Sequence, residues 1–260
     1  AASDVYKRQV AHSISPLMHN ESFRLLGLDY VYLCFDVNEE TLPAAVAGLK
    51  TCGIRGFNLT MPNKNKIVEL LDELSPEAQL IGAVNTVLND NGKLIGYNTD
   101  GYGFMQSVRD AGHDITGKNI TVMGVGGASM AICAQSALDG AASVHIFARR
   151  TSRYWNRTQK FAENLSAKTG CQVCLFDNDD HTALRDSIAQ SYLLINATSV
   201  GMVPDIDDTI IKDTSLFHPE LVVADVVYEP QETRLLREAK ATGCQTFNGM
   251  HMPVSYTHLT

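Results

Sequence analysis

The sequence predicts an α/β fold in two parts, an N-terminal α/β unit followed by a Rossmann-like doubly wound unit. Three observations carry that expectation. Apolar runs of strand length alternate with helix-length stretches through most of the 260 residues, the pattern of βαβ units around parallel sheets. Gly124-Val125-Gly126-Gly127-Ala128-Ser129 lies between a strand of buried type and a helix. In the first part, Asn89-Asp90-Asn91-Gly92 separates two short strands, which is hairpin chemistry.

Each element has its own reason. Residues 17–27 read as a helix that ends at Gly27, glycine being the usual left-handed cap. Residues 30–37 (YVYLCFDV) are rich in aromatic and β-branched side chains and predict a strand. Residues 41–52 form an amphipathic helix closed by Gly53, and Gly56–Thr60 is a short strand entering a Pro62 turn. A helix over 64–74 and a strand over 83–88 follow. After a helix over 102–112, the strand at 119–124 runs into the glycine turn and a helix reaching Ala141. Strands at 143–148, 172–176 and 192–196 then alternate with helices near 156–168 and 181–190. A strand at 221–226, a helix at 231–242 and a short strand at 245–247 complete the reading. Two domains result, roughly 10–100 and 101–237, with Asn98-Thr99-Asp100-Gly101 as the hinge.

The composition narrows the function. The net charge is -8, a field that disfavours nucleic acid and anionic membranes. No apolar run approaches the ~20 residues of a membrane span. The first residues lack the apolar core of a secretory signal, so a cytoplasmic location is expected. Of six cysteines, only Cys171 and Cys174 have CxxC spacing. No second pair or histidine pair stands nearby, so both read as small apolar strand residues and no metal is expected.

The glycine turn points to a nucleotide. Glycine permits the tight turn and the approach of backbone N–H groups to a pyrophosphate, and the helix start adds partial positive charge. A strict G-x-G-x-x-G would carry a third glycine where Ser129 stands. The strand at 143–148 ends in Arg149-Arg150-Thr151-Ser152-Arg153, with no acid in the loop. Guanidinium groups there suit a ribose 2′-phosphate, and an acid would suit a free 2′-hydroxyl. NADP is therefore the expected cofactor, with NAD as the alternative.

Three polar clusters in the first unit carry chemistry. His12-Ser13-Ile14-Ser15-Pro16 places two hydroxyls before a helix, as caps or as carboxylate ligands. Asn58-Leu59-Thr60-Met61-Pro62-Asn63-Lys64 puts a lysine just after a strand. Asn98-Thr99-Asp100-Gly101 puts a carboxylate at the junction. With GAVNT at 82–86, GVGGAS, NATSVGM at 196–202, DVVYEP at 225–230 and NG at 248–249, these segments resemble the shikimate dehydrogenase family, from about Val10 to Met252.

The resemblance implies an N-terminal substrate-binding domain, to which 238–254 return, and a nucleotide-binding domain over 101–237. It implies reversible NADP(H)-dependent reduction of 3-dehydroshikimate to shikimate on the chorismate route. Quinate/shikimate oxidation with NAD(H) or NADP(H), and a catalytically impaired nucleotide-binding sensor, are the alternatives. Lys64 and Asp100 would be catalytic, and Ser13, Ser15, Thr60, Asn85 and Tyr228 would hold substrate. Cofactor contacts would fall on Gly124, Gly126, Gly127, Ala128, Arg149, Arg150, Thr198, Val226, Gly249 and Met252. The partners expected are small molecules, with neither nucleic acid nor membrane, for a monomer or homodimer. The chain departs from the family at Ala148, Thr151 and Tyr256, where Asn, an Asp of the NAD-accepting branch and Gln are usual. Residues 1–9 and 255–260 look foreign to the family and are expected to be non-native flanks.

Overall fold

The computed structural model describes residues 15–249. The first unit opens with α1 (Ser15–Leu25) and α2 (Leu42–Thr51), then β1 (Gly56–Asn58) and the short α3 (Asn63–Lys66), which continues as a 3-10 turn over Ile67–Leu70. Next come β2 (Glu73–Leu74), α4 (Pro76–Ile81), β3 (Thr86–Asp90) and β4 (Lys93–Tyr97). The four strands form one sheet in the order β1-β3-β4-β2. The hairpin between β3 and β4 turns at Asn91 and Gly92, both at positive φ. Two residues at positive φ match the right-handed twist of the flanking strands, so the Asn-Gly pair sets the register. Leu42, Val46, Ile67, Val84, Val87 and Leu94 form a small core behind this sheet.

Two expectations for this unit fail. Residues 30–37 join no ladder among the described residues. Tyr32 is instead gripped by one side chain, since Asn20 Nδ2 donates to its carbonyl and its N–H donates to Asn20 Oδ1. An amide has the same donor and acceptor as a neighbouring strand's peptide group. The helix expected over 64–74 keeps α geometry only to Lys66 and ends with the 3-10 turn at Leu70, and the chain then straightens to let Glu73 and Leu74 pair with Ile95 and Gly96. Helix α4 was missed; Ser75 caps it by accepting from Ala78 N–H, with Pro76 in its first turn, the usual helix-start chemistry.

The second unit follows the alternation closely. Helix α5 (Asp100–Asp110) leads to β5 (Asn119–Met123), α6 (Gly127–Leu138), β6 (Ser143–Ala148), α7 (Trp155–Thr169), β7 (Gln172–Asp177), α8 (His181–Gln190) and β8 (Leu193–Asn196). Then come β9 (Val222–Asp225), α9 (Arg234–Ala241) and β10 (Gln245–Asn248). The six strands run parallel in the order β10-β9-β8-β5-β6-β7, the doubly wound arrangement. The side chains of the central strands β5, β6, β8 and β9 are almost all buried, on both faces, hence the unbroken apolar runs in the sequence. The expected return of 238–254 to the first unit does not hold for 238–248. The second half of α9 lies in that range, and β10 pairs with β9 from Gln245↔Val222 to Asn248↔Asp225; residues 250–254 lie outside the described residues. Among the described residues, no helix is long and apolar enough to cross a membrane.

Candidate active site

Lys64 stands in α3, half-buried, and Asp100 is the first residue of α5, buried. Lys64 Nζ donates to Asp100 Oδ2 at 2.6 Å. The other carboxylate oxygen, Oδ1, accepts from Asn85 Nδ2 at 2.7 Å. Asn85 is 1 % exposed, and its amide has only one orientation that works. Its Oδ1 accepts from the Thr99 backbone N–H at 2.9 Å, a group that can only donate, so the amide nitrogen must face the carboxylate. Thr86 Oγ1 donates to Asn85 Oδ1 and accepts from Asn58 Nδ2, while Asn58 Oδ1 accepts from the Tyr32 hydroxyl. Burial pushes the Tyr32 phenol up to about 12, so it stays a donor. A chain of donors thus runs from Tyr32 to the carboxylate, and the lysine closes its far end.

The nucleotide crevice lies at the carboxyl ends of the parallel strands. The winding reverses between β5 and β8, and doubly wound folds bind ligands at that reversal. Gly124 follows β5 with φ of 110° and packs against Thr198, which follows β8. A side chain at 124 would collide with Thr198 and with the Ala197 carbonyl. Gly126 and Gly127 are exposed with open space where a Cβ would point, leaving the backbone clear for phosphate oxygens. Ser129 replaces the third glycine without cost, because its hydroxyl donates back to the Gly124 carbonyl at 2.6 Å and seals the turn. Gly249 lies directly against the Val226 backbone. These residues fit a dinucleotide.

Beneath the crevice lies a second polar network. Asp225 is fully buried and accepts from Asn196 Nδ2, Val227 N–H and Thr233 Oγ1. Asn196 Oδ1 in turn accepts from Thr198 N–H and Oγ1. Burial pushes the Asp225 carboxyl up to about 6, against the opposing pull of its three donors. The network ties the loops after β8 and β9 together.

The structure brings Lys64, Asn85 and Asp100 into contact, and pairs Gly124 with Thr198 and Val226 with Gly249. Ser15 opens α1, Thr60 is exposed in the loop after β1, and Tyr228 is exposed after β9. Ala128 lies in the first turn of α6, and Arg149 and Arg150 are exposed after β6. Ser13 and Met252 lie outside the described residues. Sequence reasoning missed Asn58, Thr86 and Thr99, although all three stand inside quoted motifs. It also missed Asp225, whose signal was a carboxylate inside the apolar run LVVADVV. The arginine loop itself lacks an acid, but the register sets Asp177 of β7 beside Ala148.

Comparison with known proteins agrees with this geometry. The family model of the shikimate dehydrogenase substrate binding domain matches residues 5–87. The shikimate dehydrogenase (NADP(+)) of Listeria innocua is 50% identical over 243 residues, covering 94% of this chain and 83% of that protein. The Streptococcus pyogenes enzyme of the same name is 48% identical over 246 residues, covering 94% and 84%. Shikimate 5-dehydrogenase from Listeria monocytogenes, solved with shikimate and NAD, superposes with a TM-score of 0.91 at 49% identity, covering 94% of this chain and 84% of that one. Half the residues are shared over nearly the whole chain and the backbone coincides, so the chain belongs to the shikimate dehydrogenase family.

Proposed function

We infer that the chain catalyses the reversible NADP(H)-dependent reduction of 3-dehydroshikimate to shikimate, on the chorismate route to aromatic amino acids. One observation carries this reading. The Lys64–Asp100 pair stands at the start of α5, and α5 packs against α6, the helix that the glycine turn opens. An acid–base pair thereby faces a nucleotide crevice. When bound, the cofactor would supply the hydride for the carbonyl carbon. Lys64, hydrogen-bonded to Asp100, gives a proton to the oxygen; in the reverse direction it takes the proton back. Asn85 holds the carboxylate in line. Ser13, Ser15, Thr60, Asn85 and Tyr228 orient the substrate carboxylate and ring. Gly124, Gly126, Gly127, Ala128, Arg149, Arg150, Thr198, Val226, Gly249 and Met252 hold the cofactor.

In this reading, residues 10–100 form the substrate domain and 101–248 the nucleotide domain. The enzyme works in the cytoplasm as a monomer or homodimer. Relatives named for NADP(+) and the three arginines after β6 support NADP. The test is an initial-rate assay of shikimate and quinate, each with NADP and NAD. Shikimate with NADP should give the highest kcat/KM. Faster turnover of quinate with NAD would overturn the substrate and cofactor assignment, and no turnover with any pair would leave a nucleotide-binding sensor.

A further inference from the structure

We propose that Trp155 is the positioning residue behind the preference for a 2′-phosphorylated nucleotide, because it holds the Arg150 guanidinium ready for the phosphate. This rests on the reading that the loop after β6 receives the 2′-phosphate of the cofactor.

The loop carries three guanidinium groups in five residues, Arg149, Arg150 and Arg153. The structure distinguishes them. The Arg150 guanidinium carbon lies 4.7 Å from the centroid of the Trp155 ring. Arg153 lies over Tyr154 at the same distance, but also donates from Nη2 to the Tyr154 hydroxyl at 2.6 Å. A guanidinium held by its flat face keeps all its N–H donors pointing outward in its own plane. Arg153 has already given one donor away along its edge. Arg149 is exposed, and among the described residues its side chain makes no hydrogen bond, ion pair or ring contact that would restrain it. Arg150 is therefore the one of the three that is both restrained by a ring and left with all its donors available.

The shelf itself is rigid. Trp155 is 7 % exposed, begins the 15-residue helix α7, and its backbone N–H donates to the Ser152 carbonyl, which closes the loop. An exposed arginine loses much side-chain entropy when it docks on an anion. Restraining it beforehand removes part of that loss and favours the ligand that carries the extra phosphate. The acid nearest in register, Asp177 beside Ala148, gives no such help to a phosphate. Selectivity must therefore come from how well the guanidiniums are placed.

Trp155 is the only tryptophan in the chain, so the tryptophan emission comes from this shelf. In the unaltered protein, titration with 2′,5′-ADP should change the fluorescence saturably, and 5′-ADP should change it far less. Equal changes with the two nucleotides would overturn the proposal. In Trp155→Leu, the KM for NADP should rise about threefold or more, the strength of one cation–π contact, with the KM for NAD and kcat nearly unchanged. Trp155→Phe, which keeps an aromatic face, should recover most of the loss. An equal rise in KM for both cofactors, or a fall in kcat alone, would reduce Trp155 to a packing residue and overturn the proposal. Arg150→Ala separates the two layers of the argument. If it weakens NADP while Trp155→Leu does not, the phosphate site stands and the shelf falls. If Arg150→Ala is silent as well, both fall.

Discussion

At the scale of single residues, the site is a matter of which atoms can only give and which can only take. Thr99 N–H and Lys64 Nζ can only donate, and the Asp100 carboxylate can only accept, so Asn85 between them has one orientation. Lys64→Ala removes the proton carrier and should lower kcat by roughly 10²–10⁴, while shikimate Kd, measured by calorimetry, stays close to the parent value. A near-parent kcat would exclude Lys64 from proton transfer. Asn85→Ala removes the hydrogen bonds that it makes to the buried Asp100 carboxylate and the Thr99 N–H. Each unsatisfied group costs about 1–3 kcal/mol, so the urea midpoint should fall markedly and kcat with it; an unchanged midpoint would show that water replaces the amide. Lys64 and Asp100 were legible because their motifs name them. Asn58 and Thr86 were not, since their link is a cross-strand pair between β1 and β3, and register is invisible until the strands are matched.

At the scale of elements, legibility follows burial. The central strands of the parallel sheet are apolar on both faces, and the sequence limits of all six strands match the observed ones within a residue or two, as at β6 and β7. The half-exposed first unit gave poorer readings. The composition of 30–37 is right for a strand, yet Tyr30, Val31, Leu33 and Phe35 are exposed and the backbone is held by Asn20 instead of a ladder. Propensity describes a fit to a pleated surface, and the surface must be present. The glycine turn was legible because its demand is local. Gly124→Ala tests that demand: a left-handed backbone disfavours any Cβ by about 1–2 kcal/mol, and here it would also press on Thr198 and the Ala197 carbonyl. NADP Kd should rise about tenfold or more, one such energy step on the affinity scale, with shikimate Kd unchanged. An equal weakening of both ligands would point to general unfolding instead.

At the scale of the whole molecule, the strand order β10-β9-β8-β5-β6-β7 was not spelled by any motif, and the place of β10 corrected the expected boundary at 237. Stability should also depend on pH through Asp225. Burial raises this carboxyl to about 6 in the folded protein, above its value in the unfolded chain. Its contribution to stability is therefore full at low pH, and is lost as pH rises through about 6, where a buried charge must be held at a cost of about 3 kcal/mol. Asp225→Asn stays neutral throughout. Between about pH 4 and pH 7.5, the variant should gain stability relative to the parent, read from urea unfolding at both values. A constant difference would show that Asp225 is neutral, or charged, across the whole interval. One contact bears on all of this. At Gly101 there is no room for even a methyl group against the Ala131 carbonyl, so α5 and α6 touch through bare backbone. One helix begins with the proton-handling carboxylate and the other with the nucleotide turn. At that point their separation is gauged by peptide groups, and reacting atoms that must meet within ~3–3.5 Å inherit the tolerance of that gauge.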